Sequence, residues 1–218
     1  MKKYELTEEP KVIGGKTVFR IRALRSFGDI KAGDLGGFIE NERNLSHGGN
    51  AWVGGNAQVN GYAQVGGNAW VEDNAQVGGN ARVSGDAWVE DNARVDGDAW
   101  VGGYARVNGD AQVVGDARVD GNAQVGGDAW VGGNARVGGD GLINSDNDYL
   151  CEKGLGSHNR SASFFKCKDG HIHVLCGCFS GNLDEFENKV KEEHGNSKYA
   201  KEYLGFIEVV KTHFEVQQ

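Results

Sequence analysis

Apolar and polar positions alternate through the middle of the chain with a period of six. From Ala51 to Val137 an Ala-x-Val-x-Gly-Asn/Asp unit runs fifteen times without insertion or deletion. Ala and Val, two apart, project to one side of an extended segment, and the residue between them projects to the other. A Gly stands two residues after nearly every Val. That excludes a helix and supplies the backbone freedom a corner needs. Each hexad therefore predicts a short strand and a turn. Three hexads close a triangular coil, and coils stack through parallel pairing of their strands. Five coils make a prism about 24 Å long at roughly 4.8 Å per strand spacing, with Ala and Val inside.

The flanks follow different rules. Tyr4 to Val12 and Lys16 to Leu24 read as two extended pieces turning at Gly14-Gly15, with Thr17, Phe19 and Ile21 on one side and Val18, Arg20 and Arg22 on the other. The stretch that follows approaches the hexad rhythm, with Ile39 and Leu45 at Ala positions and His47 at a Val position, so it predicts a ragged capping coil. After Ile143 the rhythm fades into a turn-rich junction. Ser161 to Cys167 and His171 to Cys176 then predict a hairpin about Lys168-Asp169-Gly170. Leu183 to His194 predicts a helix stopped by Gly195, and Lys198 to Phe214 a second. The fold class is mainly β: an N-terminal β cap (1–50), a repeat prism (51–143) and a small α+β domain of ββαα order (144–218).

Repeats such as "VGGNAW VEDNAQ VGGNAR" resemble the hexapeptide-repeat proteins that form a left-handed parallel β-helix; the hand is implied by the resemblance alone. The leader "RIRALRSFGDIKAGDLGGFIE" and the later "GCFSG" resemble uncharacterised hexapeptide-repeat proteins carried by bacteria and their phages, which implies a phage or prophage origin and no established activity. Acyltransferases of this fold use a histidine base at a coil edge and loops that interrupt the repeat. Here the repeat is uninterrupted and holds no histidine, so His47 is assigned to capping and no catalytic residue is expected.

Residues eighteen apart stack, so the outward positions form three columns. They are Trp52, Trp70, Trp88, Arg106, Gln124; then Gln58, Gln76, Arg94, Gln112, Trp130; then Gln64, Arg82, Trp100, Arg118, Arg136. Trp52, Trp70 and Trp88 with Arg106 form an apolar strip that predicts an interface, in a homo-oligomer of two or three copies or with a host protein. The competing reading is a ladder that stiffens the prism by stacking on itself.

Composition narrows the partners. The net charge is −8, and between residues 51 and 140 five Arg face twelve Asp plus Glu. Direct nucleic-acid binding is not expected; an acidic rod that imitates a polyanion is an alternative. No stretch approaches twenty apolar residues and Met1-Lys2-Lys3 leads into no signal-peptide run, so no membrane partner and a cytoplasmic location are expected. Candidate chemistry gathers near the C-terminal hairpin. Free N–H groups after Gly181, at a helix start that Ser180 or Asn182 could cap, predict an anion site, and Cys178 stands just before that start. The turn "GLGSHNR" adds Ser157, His158 and Arg160. These seven residues make the candidate ligand set, for a phosphate or carboxylate. Four cysteines with His171 and His173 raise zinc, but Cys-x-Cys is not the usual spacing. No metal or cofactor is expected. The function these features favour is a non-enzymatic binding or assembly module. The alternatives are a binder that sequesters a small anionic ligand such as a nucleotide signal, a hexapeptide-repeat acyltransferase and an acidic inhibitor.

Overall fold

A computed structural model describes residues 2–215. Every hexad becomes a two-residue strand, from Trp52–Val53 to Arg136–Val137. Partners lie eighteen residues apart and parallel: Trp52 pairs with Trp70, Gln58 with Gln76 and Gln64 with Arg82. All fifteen Ala and all fifteen Val of the repeat are at most 1 % exposed. The residue two after each Val holds φ between 55° and 77°, the left-handed region glycine enters without penalty. Two positions in this column are not glycine. Asp73 and Asp91 both hold φ 59°, and each carboxylate accepts from the N–H stacked on it, Asp91 from Gly109 at 2.9 Å and Asp73 from Asp91 at 3.4 Å.

The ladder has a direction. Each coil donates its N–H groups to the coil after it, as in Trp52 to Ala69 O (3.0 Å) and Gly54 to Val71 O (2.8 Å). Carbonyls are therefore left over at the N-terminal end and N–H groups at the C-terminal end, and both must find partners. The leader supplies donors. Phe38, Glu40 and Ser46 donate backbone N–H to Ala57, Val59 and Val65. The Asn44 amide donates to Ala63 O at 2.8 Å and the Lys3 ammonium to Ala51 O at 2.6 Å. The junction supplies acceptors: Asp146 Oδ1 takes the Trp130 N–H (2.7 Å) and Ser163 Oγ the Arg136 N–H (2.8 Å).

The leader is thus more than a lid. Its strand Leu35–Ile39 pairs antiparallel with Lys16–Ala23 and parallel with Gln58–Val59, so one prism face continues into the hairpin as an eight-stranded sheet. With Leu142–Ile143 joined at the other end, the solenoid has about six turns where the sequence reading gives five; two of its faces carry six parallel rungs each. The leader's register also differs from expectation. Ile39 pairs with Val59 and Leu45 with Val65, so both occupy Val positions, two residues out of the hexad step. Ser46–Asn50 absorbs the extra pair. His47 is consequently outside the interior, stacked on Tyr4 at 4.4 Å with Nδ1 accepting from Lys3 N. In the hairpin a register shift between Arg20 and Arg22 breaks strict alternation, and Val18 and Ile21 are both buried.

After residue 143 a four-stranded antiparallel sheet, Tyr149–Leu155, Arg160–Lys166, Ile172–Cys176 and Phe179–Asn182, precedes helix α1 (Leu183–His194) and helix α2 (Lys198–His213). The sequence reading predicts two of these strands. Tyr149–Leu155 is hidden in turn-rich composition, and Phe179–Asn182 is too short to show a period. The sheet serves two cores. Phe165 and Cys167, with Leu175 beside them, close the end of the solenoid, whereas Ala162, Phe164, Val174 and Cys176 pack under the helices.

Register does place Trp52, Trp70 and Trp88 one above another. Trp52 is nevertheless only 2 % exposed, covered by Phe27 (ring centroids 5.5 Å apart) and by Gly36, where any Cβ would strike the indole. The leader has claimed it for the core, and the strip open to solvent begins at Trp70. Trp70 and Trp88 stack at 5.7 Å, 12° from parallel, with Arg106 5.8 Å from the Trp88 ring.

Candidate ligand-binding site

Two backbone devices build one end of the C-terminal hairpin. Gly156 takes φ 68° directly beneath Tyr203, and Gly177 takes φ 60° beneath the Arg160 guanidinium; a side chain at either would collide with what lies over it. Helix α1 then lays one face over this end. Phe186, Lys189, Val190 and Glu193, spaced three and four apart, point the same way, and with Ser157, His158, Arg160, Cys178, Phe179 and Tyr203 they line a cavity of about 360 Å³.

Four of the seven residues expected to bind ligand meet here: Ser157, His158, Arg160 and Cys178. The other three do not. Asn182 Oδ1 accepts from Glu185 N at 2.8 Å while Glu185 Oε2 accepts from Asn182 N at 2.9 Å, so a capping box occupies two of the N–H groups expected to hold an anion and sets a carboxylate beside them. Gly181 is pressed between Glu185 and Phe179. Ser180 points to the opposite face, its Oγ 2.9 Å from His173 Nε2, because alternate strand residues diverge. Cys178 lies in the turn between two strands, ahead of Phe179–Asn182, and the start of α1 does not act on it. Lys189, His194 and Tyr203 were missed. They belong to helices that reach the hairpin only through tertiary packing, and nothing local marks them.

Arg160, Lys189 and Glu193 are the charged groups of the lining. Among the described residues no carboxylate pairs with Arg160, whereas Lys189 is held by Glu192 and Glu193 at 3.2 Å each. His194 stacks on Tyr203 (5.6 Å, 22°) and Ser157 Oγ lies 2.9 Å from His158 Nδ1. Burial, together with the neighbouring Cys176, pushes the Tyr203 phenol up to about 12, and burial likewise raises the Cys176 thiol. Both are neutral donors at physiological pH. The arrangement suits an anion with an apolar or planar body. A larger, shallower groove of about 560 Å³ lies where the solenoid meets the sheet, lined by Trp130, Asp146, Tyr149, Lys153 and His213, but its Asp146 is already committed to the Trp130 N–H.

Residues 75–90 match the YdcK beta solenoid repeat. That stretch covers the strands Gln76–Val77, Arg82–Val83 and Trp88–Val89, so the likeness concerns the solenoid and stops well short of the cavity. No curated protein matches the chain. Among the described residues no helix is long and apolar enough to cross a membrane.

The opposite end of the same hairpin holds a metal-ligand type of grouping. Cys167, His171 and His173 bring one sulfur and two ring nitrogens within 4.8 Å of one another. The sequence reading weighed both histidines with all four cysteines and missed this set, which excludes Cys176 and Cys178.

Proposed function

We propose that this protein is a non-enzymatic binding module: a rigid solenoid carrying a small α+β domain whose cleft takes a small anionic ligand of nucleotide type. One observation supports the reading above the rest. Arg160 stands without a carboxylate partner among the described residues, at the rim of a cavity walled by Phe179, Phe186 and Tyr203. A free guanidinium offers a planar fork that fits phosphate or carboxylate oxygens, and aromatic walls suit a planar ring. The resemblance to hexapeptide-repeat proteins of phages is compatible with such a sequestering role in the cytoplasm. Calorimetry against a panel of nucleotides, sugar phosphates and dicarboxylates tests it. Binding is expected for the wild type, with affinity at least about tenfold lower in Arg160→Ala, since a hydrogen bond to a charged group contributes about 1.5–3 kcal/mol. A panel that yields no heat with the wild type would sink the proposal.

A second reading, assembly into a homo-oligomer, is favoured by the half-buried Trp70 and Trp88 and by Trp130, which is 55 % exposed. Native mass spectrometry decides it. The wild type is expected at a multiple of 23.4 kDa and the Trp70→Ala, Trp88→Ala double variant at the monomer mass. An equal mass for both would assign the stack to stiffening the solenoid.

A further inference from the structure

The hairpin tip that carries Cys167, His171 and His173 is fastened to the last turn of the solenoid. Gly141 and Cys167 form an isolated bridge, and Lys168 N donates to Asp140 O at 3.1 Å. Within the tip, Cys167 N donates to His171 O and Gly170 N to Cys167 O, both at 2.9 Å. His171 and His173 are two apart on extended chain and share a face. The three donor atoms are therefore fixed by backbone on both sides of the turn.

The ring nitrogens carry the argument. His171 Nδ1 lies 2.5 Å from Asp169 Oδ1, and a carboxylate only accepts, so the proton of a neutral His171 ring sits on Nδ1 and Nε2 keeps its lone pair. His173 Nε2 lies 2.9 Å from Ser180 Oγ. With that nitrogen donating to the hydroxyl, His173 Nδ1 is also a bare lone pair. The two bare nitrogens face each other at 3.4 Å. In this tautomer a cation between them offsets the repulsion of the two lone pairs, and the spacing fits a metal: two nitrogens each roughly 2.0–2.1 Å from one tetrahedral ion stand about 3.3–3.4 Å apart. Cys167 Sγ completes a three-atom donor face within 4.8 Å.

We propose that Cys167, His171 and His173 bind a divalent transition-metal ion at the seam between the C-terminal sheet and the solenoid. One thiolate with two imidazoles suits zinc best among the common ions. Asp169 and Ser180 act as positioning residues, each holding the far nitrogen of a ligating ring, the arrangement that fixes tautomer and orientation in metal sites. Binding releases the Cys167 proton to solvent and forms the metal–sulfur bond without any redox change. His171 is exposed, so the fourth coordination position opens to water. This inference is independent of the Arg160 cavity, which lies at the other end of the strands.

Cobalt is the probe. The full chain, stripped with chelator and dialysed, is titrated with Co²⁺ and then with Zn²⁺. The expected result is one equivalent of cobalt bound, with a thiolate-to-cobalt charge-transfer band that zinc abolishes. Cys167→Ser should lose that band and Cys151→Ser should keep it. His173→Gln, at a half-buried position beside Phe165, should weaken cobalt binding at least tenfold while the far-UV circular dichroism stays that of the wild type. Ser180→Ala, which touches no metal, should weaken it about 10–100-fold. A wild type without the band, a band that survives in Cys167→Ser, or equal affinity in His173→Gln each overturns the proposal. The first of these results would mean that the Ser180 hydroxyl donates to His173 and that His173 Nδ1–H donates to His171 with no metal present.

Discussion

The Lys3 ammonium donates to the Ala51 carbonyl at 2.6 Å, and none of the lysine is exposed. An ammonium buried this completely is costly to keep charged. It is tolerated because this end of the solenoid presents carbonyls and lacks N–H groups, so a donor is what the position demands. Phe27 lies under the same ammonium, 5.0 Å from ring centre to Nζ.

Burial, with Arg25 adding repulsion, brings Lys3 down from 10.5 to about 8. Below pH 8 both folded and unfolded chains hold this proton and the burial penalty is complete. Between about 8 and 10.5 the folded chain releases it first, so stability should rise with pH across that window, by up to about 3 kcal/mol at about 1.4 kcal/mol per unit. Urea unfolding at stepped pH should show the rise in the wild type and not in Lys3→Met. Parallel profiles for the two proteins would refute it.

Phe165 seals the other end. It is fully buried and fills the space beside Gly141, where a built Cβ falls 3.0 Å from its ring and closer still to Val137. Gly141 stands at an Ala position of the repeat, and only its missing methyl admits the plug. Phe165→Ala should cost about 3–5 kcal/mol in denaturant unfolding. Gly141→Ala should also destabilise, and by less in a Phe165→Leu background than alone.

The left-handed corner column sets a third expectation. Gly97 holds φ 77° and its Cβ would lie 2.9 Å from Gly115 N, so Gly97→Ala should cost roughly 1–2 kcal/mol from backbone strain alone. Asp91 pays a similar strain and recovers it through Gly109 N–H. Thermal melts should therefore rank Asp91→Gly near the wild type and Asp91→Ala clearly below both.

Asn182 offers a test of the divided ligand set. As the N-cap of α1 it should lose about 1 kcal/mol of stability on change to Ala, while calorimetric affinity for any ligand of the Arg160 cavity stays within twofold. A loss of affinity matching that of Arg160→Ala would return Asn182 to the binding site.

The hexad alone determined the solenoid: its parallel register of eighteen, its Ala and Val interior and its glycine-bearing corners. These are properties of a short segment stacked on near copies of itself, so one period carries all the information. The coil count, the two-residue offset at Leu45, the loss of Trp52 to the core and the side of the Arg160–Lys166 strand that meets each core were decided by packing. A strand with one buried face and a strand with two buried faces read alike when the second face is covered by a distant element. The same holds for chemistry. Arg160 and Lys189 become neighbours only when a helix folds back over the hairpin, because side-chain proximity at long separation is a property of the assembled sheet and not of spacing along the chain, whereas Cys167, His171 and His173 meet across a local hairpin turn that the sequence already marks.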